Sequence, residues 1–175
     1  MKISDKYLKG AVLGASDGII TTFAVVAGVV GAGFATEIII VLGIANMVAD
    51  GISMAIGDFL GERSVSTMHK FRGTAETSML ADAKTSVITF CAFVLAGSLP
   101  LLPYLVMLFG VSIPEKNQFT MSVVATLSSM FFVGSLRTYV IKGNWFKNGL
   151  EMLLVGSIAA IAAYSLGAYV ESFVR

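Results

Sequence analysis

The chain has 175 residues, 56% of them hydrophobic and only 13% charged, where a soluble domain carries about 25% charged residues. That composition excludes an ordinary water-soluble domain, and a net charge of +1 leaves no basic excess to hold a nucleic-acid backbone. One Cys and one His exclude both a disulfide framework and a Cys/His zinc cluster.

A bilayer core about 30 Å thick takes about 20 mostly apolar helical residues to cross, and five runs of the chain meet that requirement. Ala11 to Val30 carries only Asp17, and Ile38 to Ile56 carries only Asp50. Thr85 to Pro114, Phe119 to Leu136 and Met152 to Val170 carry no charged residue. The first run lacks a small-residue cleavage site and passes through Gly31, Ala32 and Gly33 into the second, so it reads as a retained span, not a signal peptide. The expectation is an all-α, multi-pass membrane protein of one transmembrane domain, 1–175. Its five helices are expected at about 9–32, 36–60, 85–109, 118–140 and 149–171, with a short connection over 61–84. Pro100 and Pro103 predict a kink or an end in the third helix, because each removes a backbone donor.

Lys and Arg are enriched in cytoplasmic loops close to span ends. Ten of the twelve fall on one side: Lys2, Lys6 and Lys9, then Arg63, Lys70, Arg72 and Lys84, then Arg137, Lys142 and Lys147. Only Lys116 and Arg175 fall on the other. The N-terminus is therefore expected in the cytoplasm and the C-terminus on the opposite side.

An Asp at the centre of a membrane helix costs about 2.5–3.5 kcal/mol on insertion scales, so an intramembrane carboxylate calls for a function. A helix beginning only at Gly18 would reach about 24 Å by Gly33, too short to cross, which places Asp17 inside its helix and not at a cap. On the second span Asn46, Asp50, Met54 and Asp58 follow at steps of four and share a face. Counted from Lys9 and Leu60, Asp17 lies about 12 Å deep, Asp50 about 15 Å and Met54 about 9 Å. Two carboxylates neutralise a divalent cation, the Asn46 amide oxygen suits a hard ion, and the Met54 sulfur favours a first-row transition metal over magnesium or calcium. The set predicts a site for Fe²⁺, Mn²⁺, Co²⁺ or Zn²⁺. Without metal the carboxylates would repel one another and take up protons, so metal and proton compete for one place.

Gly10, Gly14 and Gly18 at spacing four predict close helix packing. Five spans are few for enclosing a pathway, and a two-fold dimer joining two copies of spans one and two would double the ligands. In the 61–84 connection, Glu62, His69 and Glu76 recur every seven residues, and Asp58 precedes Glu62 by four. Asp58 and Glu62 are expected at the cytoplasmic mouth of the path. For His69 and Glu76 two readings stand, metal capture or a solvated amphipathic segment.

The stretches LGASDGIITTFAVVAG (Leu13 to Gly28) and GIANMVADGISMAIGDFL (Gly43 to Leu60) resemble the first two membrane helices of the vacuolar iron transporter family. Weaker similarity continues through GSLPLLPY (Gly97 to Tyr104), FFVGSLRTYVIKG (Phe131 to Gly143) and LLVGSIAAIAAYSLG (Leu153 to Gly167). The resemblance implies a five-helix homodimer that moves Fe²⁺, often Mn²⁺ too, out of the cytosol in exchange for protons along the dimer interface. It implies metal-path roles for Asp17 and Met54. Plant and parasite members of the family carry Glu where this chain has Asn46, and Asp50 stands one turn along. Those members also hold a Glu-rich cytosolic domain between helices two and three, where this chain has only residues 61–84.

The expected substrate is thus Fe²⁺ or Mn²⁺ as cargo, with no resident cofactor, and the expected partners are protons, lipid and a second copy. The short connection and the lack of an organellar signal favour a prokaryotic plasma membrane over a vacuole. An enzyme is not expected, since the spans offer no Ser/His/Asp or Cys/His pairing and the chain no Glu-x-x-His pair. The competing reading is a non-transporting scaffold or a metal sensor, in which Asp17 and Asp50 only tie helices together.

Overall fold

The structure is a computed structural model describing residues 3–73, 79–141 and 143–174. Its elements are α1 (Ile3–Gly31), α2 (Thr36–Phe71), α3 (Met79–Leu105) continued by a 3₁₀ turn (Val106–Phe109), α4 (Glu115–Leu136), the one-turn α5 (Thr138–Ile141) and α6 (Trp145–Val174). All but α5 and the 3₁₀ turn are long and apolar enough to cross a membrane. The backbone of such a run can satisfy its own donors and acceptors in hydrocarbon only as a helix, and the chain is an all-α protein with five such spans. Large apolar side chains cover the outside, among them Val41, Leu95, Val124, Phe132, Ile158, Ile161 and Leu166. In water that surface would be untenable; against lipid tails it costs nothing.

The central helices are α1 and α3, and glycine is the reason they can approach so closely. A Cβ at Gly14 would overlap the Thr89 carbonyl, and one at Gly18 would overlap the carbonyl of Phe93. In return, a Cβ at Gly97 would stand 3.0 Å from the Gly18 oxygen and from Thr22 Oγ1. The Gly10, Gly14, Gly18 stripe is therefore used inside the chain, against α3. The far end of α1 meets α6 in the same way, Gly31 against the Tyr164 backbone and Gly28 against Gly167.

The turn from α1 into α2 closes with Gly33 at φ 64° and with the Phe34 amide donating to the Val29 carbonyl at 3.2 Å. That left-handed position is why glycine stands there. α3 runs through both prolines to Leu105 before tightening into the 3₁₀ turn. Ser122 Oγ donates to the Pro100 carbonyl at 2.6 Å, a polar contact between α4 and the proline segment of α3. Two apolar clusters fill the bundle. One, toward the Gly31 end, joins Phe23, Val26, Val29, Ile39, Leu101 and Tyr104; the other joins Ile19, Ala96, Met130, Val133 and Met152.

Candidate functional site

α2 lies on one side of the bundle, and its residues fall into stripes at steps of four. Ile39, Gly43, Met47 and Gly51 are buried; a Cβ at Gly43 would meet Leu101 of α3, and one at Gly51 would meet Phe90 and Phe93. The stripe Asn46, Asp50, Met54 and Asp58 is half-buried at the edge of that contact. A third stripe, Ala45, Ala49, Ser53, Gly57 and Gly61, consists of small residues and is exposed along its whole length.

Asp17, on α1, is half-buried, and the charge of Asp50 on α2 acts on it across the two helices. Among the described residues neither carboxylate receives a side-chain hydrogen bond or an ion pair, and Thr21 bonds only the Asp17 main-chain oxygen, at 2.9 Å. Asp17 and Asp50 thus stand near enough for their charges to act on each other, and neither has a side-chain partner among the described residues. Met54 and Asn46 flank Asp50 by one turn on either side, both half-buried. Among the described residues no group of three or more His, Cys, Asp or Glu side chains is placed to hold a metal ion. One chain therefore brings two carboxylates to this level, short of a full ligand set for a hard or borderline cation.

Asp58 and Glu62 are differently situated. Successive steps of four drift by about 40° around a helix, so the stripe does not stay opposite one neighbour. By Asp58 it has reached α3, where Ser86 Oγ and Thr89 Oγ1 each donate to Asp58 Oδ2 at 3.2 Å. Glu62 receives Lys6 of α1, with Nζ 2.6 Å from Oε2. The same ammonium stands 3.7 Å from Oδ1 of Asp82 on α3, a side chain only 4% exposed, and Ser66 donates to that oxygen at 3.3 Å. Both carboxylates expected at the mouth are thus held by partners within the chain. Asp82 escaped the sequence reading because it precedes the charge-free run of span three. The signal for it is the spacing Asp82, Thr85, Ser86 and Thr89, a polar stripe at i, i+3, i+4 and i+7 leading into an apolar helix. His69 lies exposed near the end of α2, and Glu76 lies outside the described residues.

Comparison with known proteins gives this geometry a context. A model of the VIT family matches residues 8–82 and 65–168, two matches that overlap across the end of α2 and the start of α3. Among curated proteins, a vacuolar iron transporter of Toxoplasma gondii is 23% identical over 96% of this chain and 76% of its own length. Vacuolar iron transporter 1 of Eucalyptus grandis is 25% identical over 94% of this chain and 87% of its own. The vacuolar iron transporter homolog 2 of rice is 24% identical over 92% of this chain and 89% of its own. The first two alignments extend over 228 and 222 positions, more than the 175 residues available here, so those relatives carry inserted residues. The rice alignment needs only 173. Matched by the family model from the first turns of α1 to the last turns of α6, the chain belongs to the VIT family.

Proposed function

We propose that this metal-transporter family member carries Fe²⁺ or Mn²⁺ across the membrane, out of the cytosol and in exchange for protons, between α1 and α2 of two copies. What supports the reading is the pair Asp17 and Asp50, each on an apolar span, whose charges act on each other across α1 and α2 and which have no side-chain partner among the described residues. Charged groups at that depth are tolerated when something neutralises them, and a divalent cation does so for two carboxylates. The thioether of Met54 and the amide of Asn46 would complete the set, favouring a first-row transition metal. Asp58 and Glu62 would line the approach. The relatives' names supply iron as the metal; carboxylate, amide and thioether suit Mn²⁺ equally.

The second copy follows from the incompleteness of the site and from the surface beside it. Ala45, Ala49, Ser53, Gly57 and Gly61 present a small-residue stripe that is exposed among the described residues, and a Cβ at Gly57 or Gly61 would meet nothing within 4 Å. Membrane helices pack closely on such stripes. A two-fold axis along α2 would set two Asp17/Asp50 pairs against each other. The positive-inside distribution of Lys and Arg supports a cytoplasmic Lys6 end of the bundle. The connection of α2 to α3, without the extra residues of the longer relatives, fits a prokaryotic plasma membrane.

Protons enter through the same carboxylates. When the ion leaves, two like charges at close range in low dielectric are relieved by protonation, so each cargo ion exchanges with protons taken from the far side. The test is metal flux in proteoliposomes with and without an imposed pH gradient. Fe²⁺ or Mn²⁺ should move against the proton gradient in the unmodified protein, and Asp17→Ala and Met54→Ala should each stop it while leaving the dimer intact. Normal flux in both variants rejects the assignment.

A further inference from the structure

The half of α2 that leads up to the Asp17/Asp50 pair is closed by one ammonium. Lys6 reaches from α1 to Glu62 of α2 at 2.6 Å and to Asp82 of α3 at 3.7 Å, so a single side chain ties the ends of three helices. It makes a side-chain hydrogen bond between α1 and α2. Its position relative to the metal pair follows from helix geometry. Lys6 and Asp17 are eleven residues apart on α1, which is about 16 Å along the axis and about 20° around it, so they share a face. Glu62 and Asp50 are twelve residues apart on α2, about 18 Å. Two antiparallel helices pinned at Lys6 and Glu62 therefore bring Asp17 and Asp50 to the same level. The ion pair lies across the end of the α1–α2 seam, along which the charges of Asp17 and Asp50 act on each other.

The polar residues of α2 between the two levels wind around the helix by about 40° at each step of four, from Asp50 and Met54 past Asp58, which is held by α3, to Glu62, which Lys6 occupies at the helix end. The Lys6 side chain is 27% exposed and that of Glu62 14%, so the ammonium is within reach of solvent while the carboxylates it holds are nearly covered. An ammonium and a divalent cation both satisfy carboxylate oxygens, and they cannot occupy the same ones at once.

We infer that Lys6 is a specificity-determining guard of the transport path: its ammonium is an internal competitor that occupies Glu62 and Asp82, and a divalent ion is admitted by displacing it. This rests on the reading of the chain as a metal transporter with the Lys6 end as the donor side. A monovalent ion offers less than the tethered ammonium it would replace, whereas a divalent ion offers twice the charge, so the exchange filters by valence before the ion reaches Asp17. A purely structural tie would set stability without setting affinity.

The decisive experiment has two arms on the full chain. In proteoliposomes, Lys6→Gln should lower the KM for Mn²⁺ about fivefold at low salt, the scale of a partly exposed ion pair, and the difference should shrink as ionic strength rises. Lys6→Arg, which keeps the charge, should restore the unmodified KM. In detergent, with Asp17→Asn and Asp50→Asn removing the deeper pair, Mn²⁺ binding followed by electron paramagnetic resonance should tighten about fivefold on adding Lys6→Gln. It should be lost on adding Glu62→Gln instead. Melting temperatures of every variant report the structural share separately. An unchanged KM and unchanged Mn²⁺ binding in Lys6→Gln overturn the inference even where the parent transports. A parent that transports nothing overturns the transport reading instead, and the binding arm then still decides the role of Lys6.

Discussion

Asp17 and Asp58 are both aspartates on membrane-crossing helices, and the chain treats them in opposite ways. Asp58 accepts hydroxyl hydrogen bonds from Ser86 and Thr89, and its neighbours Glu62 and Asp82 share the Lys6 ammonium. Among the described residues Asp17 has no such partner, and the charge acting on it from α2 is another carboxylate, Asp50. A satisfied acid at a helix junction holds the junction; a pair without partners in the span is the arrangement proposed to take a mobile cation. Electrostatics alone separates the two regions, although both are acidic, both involve α2 and both sit beside Ser or Thr. The lesson is that an acid's membership of a stripe says less about its use than whether the fold has already neutralised it.

The contrast can be broken most decisively at the unsatisfied pair. Asp17→Ala and Asp50→Ala should each abolish metal flux in proteoliposomes, while Asp58→Asn should leave measurable flux. Equal losses at all three positions would erase the distinction. The next effect is on stability with metal present. Mn²⁺ at a hundred times its dissociation constant should stabilise the unmodified protein by about 2.7 kcal/mol, seen as a rise in melting temperature that Asp17→Ala removes. Asp82→Ala should destabilise the metal-free protein by about 1–3 kcal/mol, since it strips a nearly buried acceptor from Ser66 and Lys6. The smallest effect carries the sharpest sign. Asp58→Asn should cost about 1 kcal/mol and lower the metal-free melting temperature by about 2–4 °C. Asp50→Asn, which removes a like charge facing Asp17, should raise it. Thermal unfolding in detergent at low salt reads both.

Much of this was legible in the sequence because membrane insertion penalises charge so heavily. Apolar runs of sufficient length marked the five spans, and the only acids within them, Asp17 and Asp50, marked themselves. Helical spacing then put Asn46 and Met54 beside Asp50, since contacts along one helix follow from the 3.6-residue period. Contacts between helices do not. Nothing in the spacing of α2 says that Asp58 will turn to Ser86 and Thr89, or that Lys6, far away in sequence, will meet both Glu62 and Asp82. Asp82 was invisible for a related reason: it lies where the chain stops looking like a span, yet α3 begins at Met79 and buries it. The glycine stripe of α1 shows the same limit. Its spacing announces close packing, and only the fold reveals that α3 is what packs there while the small-residue stripe of α2 stays exposed.

The central claim is that the unpartnered carboxylates of Asp17 and Asp50 are metal ligands. Anomalous diffraction from crystals of the full chain grown with Mn²⁺ tests it most directly. The account predicts an anomalous peak in the α1–α2 seam with oxygens of Asp17 and Asp50 within about 2–2.5 Å and Met54 beside it. A peak confined to other residues, with Asp17 and Asp50 turned into hydrogen bonds of their own chain, would contradict it.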